Sequence, residues 1–291
     1  MKKKAFIFII VAGLLWGTSG VFVHLLSPYG FTSLQMTAVR GTVAFLSMTV
    51  FAFVKDRKLF KIKPTDLFIC LGVGAMLYLA SACYYSAIPM TSVATAVMLM
   101  YTAPVFVAAA SVVMFGEKMT KIKLSAILIM LVGCCLVSGV IGGFKVESVW
   151  GILLGLSAGL TYGSYNLFSK LAMRRGVNPL TITVYGFMIM MIIAFCVTSP
   201  AGIVSTAAKA PLETLPLLLG LGVCTFVVPY TLYTIGLRDL PAGTASALGV
   251  VEPMSATVYS IAFLSEKLTV YSVVGIILVV ASVLMLSKEE E

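Results

Sequence analysis

From Ala5 to Leu26 not one Asp, Glu, Lys or Arg interrupts the chain. About 20 predominantly apolar residues make a helix long enough to cross the roughly 30 Å hydrocarbon core of a bilayer. Similar runs follow over 33–54, 65–87, 92–115, 123–140, 148–172, 179–199, 214–236, 243–265 and 269–287, each ended by charges, Pro or Gly. Charged residues make up 11% of the 291 residues and apolar ones 60%, against about 25% and 45–50% in soluble domains. A soluble domain is therefore excluded. The expectation is an all-α integral membrane protein of ten transmembrane helices. The short connections Ser27 to Thr32, Ile88 to Thr91 and Leu237 to Ala242 force antiparallel neighbours.

Lys2–Lys4 followed by Ala5–Leu15 imitates a secretory signal peptide. The apolar run continues to Leu26 with no small-residue cleavage site, so it is read as an uncleaved first span. With the N-terminus in the cytoplasm, sixteen of the 20 Lys and Arg fall on one side, from Lys2–Lys4, the Lys55–Lys63 loop, Lys118–Lys123, Lys170–Arg175, Arg238 and Lys288. Lys145, Lys209 and Lys267 fall on the other side, and Arg40 lies inside a span. The positive-inside rule then places both termini in the cytoplasm of a multi-pass plasma (bacterial inner) membrane protein. The net charge of +9 marks the face toward anionic lipid and calls for no nucleic-acid partner. The six cysteines sit in apolar runs without CxxC spacing, and the single histidine, His24, excludes any metal site needing two.

The chain repeats itself. Residues 12–26 laid over 158–172 match Ala12 with Ala158, Gly13 with Gly159, Leu14 with Leu160, Gly17 with Gly163, Phe22 with Phe168 and Leu25 with Leu171. Residues 84–120 laid over 233–269 match Tyr84 with Tyr233, Thr95 with Thr244, Leu99 with Leu248, Pro104 with Pro253, Glu117 with Glu266 and Lys118 with Lys267. Two units follow, 1–141 and 147–291, each of five helices. Five is odd, so the second unit enters the membrane from the opposite face. Such inverted repeats give secondary transporters two near-equivalent states open to opposite sides.

Several residues could carry the chemistry. Gly151, Gly155, Gly159 and Gly163 recur every four residues in the sixth span, and Gly13, Gly17 and Gly20 form a shorter version in the first. Such stripes let helices approach closely, and Trp16, Tyr162 and Asn166 lie on or beside them. Pro104 and Pro253 stand mid-span, where each removes an N–H and clashes with the carbonyl four residues back, at Met100 and Gly249. These are candidate helix breaks or hinges. Glu252 is the acid placed deep within a span, and intramembrane carboxylates are costly enough to suggest function. It is a candidate ligand for a substrate ammonium, a proton carrier, or a partner for a cation such as Arg40. Arg40 and His24 are candidates for an ion pair or gate. Glu117 and Glu266 stand at helix ends before lysines, which suits a solvated or interhelical structural role. The tyrosines at 78, 84, 101, 162, 165, 185, 230 and 233 lie mostly away from span ends, unlike an interfacial belt.

Taken together, Trp16-Gly17, Arg40, Pro104, Gly116-Glu117, Tyr162-Gly163, Glu252-Pro253 and Ser265-Glu266 resemble the EamA-type transporters of the drug/metabolite transporter superfamily. The resemblance spans essentially the whole chain. It implies ten helices around a central cavity lined by spans 1, 3, 4, 6, 8 and 9, and movement of amino acids or related small metabolites, often outward. The superfamily also handles sugars and nucleotide sugars. One departure is that span 7 has no basic residue to match Arg40. The expected substrate-binding set is Trp16, Tyr78, Tyr101, Tyr162, Asn166, Tyr230 and Glu252, with Tyr78 and Tyr230 resting mainly on the resemblance.

The rival class is an intramembrane lipid-processing enzyme. The chain lacks GxSxG and GxGD signatures and has no Asp within a span, and no Walker A motif is present to drive transport with ATP. The expectation is a secondary transporter, not an enzyme, without cofactor or metal. Its partners are a small-molecule substrate and the bilayer, as a monomer or homodimer. Same-fold alternatives are sugar, nucleotide-sugar or multidrug transport.

Overall fold

The computed structural model describes residues 2–91, 96, 99–137, 148–264 and 269–290, and these form helices and turns without strands. The first repeat runs α1 (Lys2–Trp16), α2 (Ser19–Leu26), α3 (Ser33–Lys55), α4 (Pro64–Ala87), α5 (Ala103–Phe115) and α6 (Lys121–Val137). The second runs α7 (Val149–Arg174), α8 (Pro179–Val197), α9 (Pro200–Ala207), α10 (Pro211–Gly222), α11 (Val228–Asp239), α12 (Ala242–Leu248), α13 (Val251–Leu264) and α14 (Val270–Glu290). A π-helical turn, Val223–Val227, joins α10 to α11.

Among the described residues, five stretches are long and apolar enough to cross a bilayer: Lys2–Tyr29, Ser33–Lys55, Pro64–Ala87, Pro179–Val197 and Pro211–Asp239. The expected ten is not reached on that measure. The other expected spans correspond to α5 and α6, which are short, α7, which is rich in Gly and Ser, and α12–α14. Exposed Val54, Phe68, Val113, Leu212 and Val270 give the outside the apolar surface that lipid solvates.

The packing repeats with the sequence. Helix α4 packs along α7, and the equivalent α11 packs along α1; α5 packs on α7, and α13 on α1. Helices α6 and α14, and α3 and α8, pair with their own counterparts, and α5 also packs on α12. Exchanging the two halves maps one set of neighbours onto the other, which is how two copies of one unit pack about a pseudo-two-fold axis.

Local chemistry sets the element ends. Thr32 and Gln35 form a reciprocal capping box at the start of α3. The Asn178 and Ser199 side chains cap α8 and α9, each followed by Pro at the first helical position. Helix α9, in the segment expected to be loop, is an addition to the expected order. The first span is also divided, by a turn at Gly17–Thr18 where the Thr18 hydroxyl donates to the Leu15 carbonyl at 2.7 Å.

Pro104 and Pro253 each sit in the first turn after an interruption: a turn at Tyr101–Thr102 precedes α5, and one at Gly249–Val250 precedes α13. The carbonyls four residues back, on Met100 and Gly249, lose their usual helical partners. Both are covered by glycine. A Cβ on Gly159 would lie 2.9 Å from the Leu99 oxygen and 3.0 Å from the Met100 oxygen, and one on Gly13 would lie 3.6 Å from the Gly249 oxygen. One turn on, a Cβ on Gly17 would stand 2.7 Å from the Ala256 nitrogen. The glycine stripes are thus packing surfaces for the interrupted helices. The Met100 and Gly249 carbonyls are approached here by the glycine backbone of the neighbouring helix.

Candidate functional site

The centre of the bundle is built of rings from both halves. Trp16 ends α1, and its indole meets Tyr230 at 4.9 Å, Tyr233 at 5.3 Å and Tyr162 at 6.3 Å between centroids. Tyr165 lies 5.6 Å from Tyr230 and 6.1 Å from Tyr162. Phe226 extends the series, 4.6 Å from Tyr230 and 5.8 Å from Phe187. Edge-to-face and tilted pairs of this kind contribute about 0.5–1.5 kcal/mol each beyond area burial. The π turn places Phe226 here. Pro229 has no N–H for the Thr225 carbonyl four residues back, and widening the preceding turn relieves the clash.

Polar groups face this cluster. Tyr165 and Thr234 share a hydroxyl hydrogen bond of 3.0 Å. The Tyr101 hydroxyl lies beside the Glu252 carboxyl, and Arg40 is the cation whose charge reaches that carboxylate. A Cβ on Gly249 would lie 3.6 Å from the Tyr162 hydroxyl and 3.7 Å from the Trp16 ring, so both abut the interruption that carries Glu252. The Trp16 indole nitrogen, the Tyr233 hydroxyl and both amide atoms of Asn166 are buried without a hydrogen-bond partner among the described residues. Buried polar atoms are ordinarily paired, so the unpartnered Trp16 and Tyr233 atoms stand out beside the ring cluster.

Of the expected binding set, Trp16, Tyr101, Tyr162, Tyr230 and Glu252 come together. Asn166 is fully buried one turn beyond Tyr162. Tyr78 does not join. It is buried in the same core, but no ring pair among the described residues links it to Trp16. Instead Val73 and Leu77 of α4 approach Tyr165, Phe187 and Tyr230, closing a void with no room for a water-sized sphere. Among the described residues, rings pack closely about Trp16, and partial exposure persists at Tyr162, Tyr230 and Glu252.

One end of the bundle is fastened by polar contacts. Lys170, buried on α7, donates from Nζ to the carbonyls of Leu237 at 2.6 Å, Arg238 at 3.2 Å and Leu240 at 2.5 Å. It thereby caps the C-terminus of α11. Arg174 donates to the Phe115 carbonyl at 3.0 Å, and Arg175 pairs with Asp66 at 2.7 Å. Glu117 accepts from the backbone N–H groups of Ala242 at 2.8 Å and Gly243 at 3.4 Å, capping α12 across the repeat boundary. Tyr185 and Thr181 donate to the carbonyls of Phe60 and Leu59, which seats the basic loop on α8. Glu266 and Lys145 lie outside the described residues.

His24, at the position of the first repeat that matches Lys170, is exposed, and no ion pair holds it among the described residues. Sequence reasoning treated Lys170 and its neighbours as topology markers and missed the fastening. The signal was available: a lysine standing where the other copy of an internal repeat has His24.

The EamA-like transporter family model matches twice, over residues 3–139 and 149–288. The chain belongs to this family. An uncharacterized transporter of Archaeoglobus fulgidus is 29% identical over 285 residues, covering 97% of this chain and 95% of that protein. The threonine/homoserine exporter RhtA of Salmonella typhimurium is 27% identical over 259 residues, 87% of this chain and 79% of that one. A solved crystal structure superposes with a TM-score of 0.81 at 17% identity, covering 98% of this chain and 96% of the other, which shows the shared fold. This EamA-like chain is thus a multi-pass membrane transporter of the drug/metabolite transporter superfamily, with the family unit present twice.

Proposed function

We propose that this EamA-like protein is a secondary transporter that exports amino acids or related small metabolites across the plasma membrane by alternating access. The observation that carries the reading is the placement of Glu252: a half-buried carboxylate at a helix interruption, beside Tyr101 of the opposite repeat and set against the Trp16 ring cluster. A carboxylate beside aromatic faces suits an ammonium group, through charge and through cation–π attraction. The likeness to a threonine/homoserine exporter points the same way. The unequal settings of Lys170 and His24 suit a bundle caught on one side of an alternating cycle. The rings also suit a sugar or planar drug, which is the competing reading.

The test is flux in proteoliposomes with labelled threonine, homoserine, neutral amino acids and sugars, with and without a pH gradient. Saturable threonine-class flux above protein-free vesicles is expected. Flux of sugars or nucleotide sugars without any amino acid would overturn the reading.

The proposed topology is ten spans as two inverted units, with both termini cytoplasmic. Lys58 and Lys209 are both exposed, so each accepts a reporter. In a background without cysteine, an impermeant thiol reagent added outside intact cells should label a cysteine at Lys209 and spare one at Lys58. The reverse pattern would invert the assignment.

A further inference from the structure

Arg40 lies on α3 about two turns from its start at Ser33 and is 6% exposed. It does not snorkel to the helix end, as a long basic side chain near a membrane face ordinarily does. Helix α3 carries no acid, and among the described residues no salt bridge holds Arg40. Its charge reaches Glu252, but the two are not an ion pair. What faces the guanidinium is aromatic: Tyr85 at 5.9 Å and Phe226 at 6.0 Å.

The unsatisfied donors are Nε and Nη2, both buried without a hydrogen-bond partner. Their N–H groups point from the same edge of the planar guanidinium. That edge is the fork that grips a carboxylate through two parallel hydrogen bonds. A buried guanidinium with this edge idle is costly, and a kink or packing role does not call for it. Position also matters. Phe226 leads to Tyr230 and Tyr230 to Trp16 in ring contact, and Trp16 abuts the Glu252 interruption. Two opposite charges therefore stand at either end of one aromatic series, near enough to sense each other and unbridged. A molecule with a carboxylate and an ammonium would bridge them.

A gate in an inverted repeat would call for a matching cation in the other half. The corresponding stretch of α8 has none, whereas a ligand anchor in a single shared site needs only one.

We propose that Arg40 holds the substrate carboxylate while Glu252 faces the ammonium, so that the site selects zwitterionic amino acids over amines lacking the acid group. This rests on the amino-acid reading above and deepens it. The probes are threonine and threoninol, in which the carboxylate is replaced by a hydroxymethyl group, as competitors of labelled threonine and in direct counterflow. The wild type should favour threonine on the order of 10–100-fold, the range expected for hydrogen bonds to a charged group. In Arg40→Gln that ratio should collapse toward one, and Arg40→Lys should restore part of it, since charge survives without the fork.

A folded Arg40→Gln that keeps the wild-type ratio, or loses both probes equally, would overturn the assignment while leaving amino-acid transport standing. If Arg40→Gln does not fold, an unchanged ratio in Arg40→Lys overturns it as well. Failure of the wild type to bind or move any amino acid would instead remove the amino-acid reading, and this assignment with it.

Discussion

Glu252→Gln is expected to reduce accumulation driven by a pH gradient to the level seen without one, while exchange of labelled for unlabelled substrate continues. Glutamine keeps the shape of the side chain and its capacity to hydrogen-bond beside Tyr101, but it can neither take up nor release a proton. Coupling requires one group to sense both proton and substrate. Glu252 is placed for this, with the carboxyl against the Trp16 cluster and Arg40 near enough to sense its charge. The neutral amide also forfeits its attraction for an ammonium, so half-saturation for exchange should rise on the order of 10–100-fold. The measurement compares uptake with and without an imposed gradient against counterflow in the same vesicles. Unchanged gradient-driven accumulation by a folded mutant would exclude Glu252 as the proton site and leave facilitated diffusion as the simpler mechanism.

The helices were legible because lipid demands long apolar segments, and the duplication because Pro-x12-Glu-Lys is hard to repeat by chance in apolar sequence. The divided first span was less visible. Gly17-Thr18-Ser19-Gly20 reads as a packing stripe, and its role as a stop depends on α13 pressing against Gly17. Local signals did exist for α9 and the π turn, in Ser199-Pro200 and Val228-Pro229, since proline fixes what its neighbours can do on either side.

The centre was half legible. Trp16, Tyr162 and Glu252 announce themselves by residue type and depth. Phe226 and Phe187 look like any lipid-facing ring until a widened turn and an adjacent helix aim them inward. Tyr78 lies in the same core without a ring contact to Trp16 among the described residues, since a resemblance transfers a position along a helix but not the neighbours found there. Arg40 was visible as an oddity, yet the idle edge of its guanidinium emerges only when every neighbour is in place.

Lys170→Met should loosen the fastened end of the bundle, an effect that periodicity alone would not foretell. Methionine matches lysine in length and fills the same slot, so packing is largely kept. What disappears is the donor to the Leu237, Arg238 and Leu240 carbonyls, at the helix C-terminus where a cation is electrostatically favoured. A buried acceptor left unpaired costs about 1–3 kcal/mol. If opening lets water reach these carbonyls, that cost falls on the present conformation and not on the open one. A difference of about 2 kcal/mol changes the ratio of two states by about 30-fold.

A cysteine at Ser246, buried on α12 in this state, reports the change. Its reaction with a thiol reagent supplied from the cytoplasmic side should speed up by at least about tenfold in the Lys170→Met background. The same cysteine with Lys170 intact should stay slow. Equal labelling rates in two folded variants would show that the Lys170 contacts do not distinguish the conformations, and the lock would reduce to an ordinary helix cap.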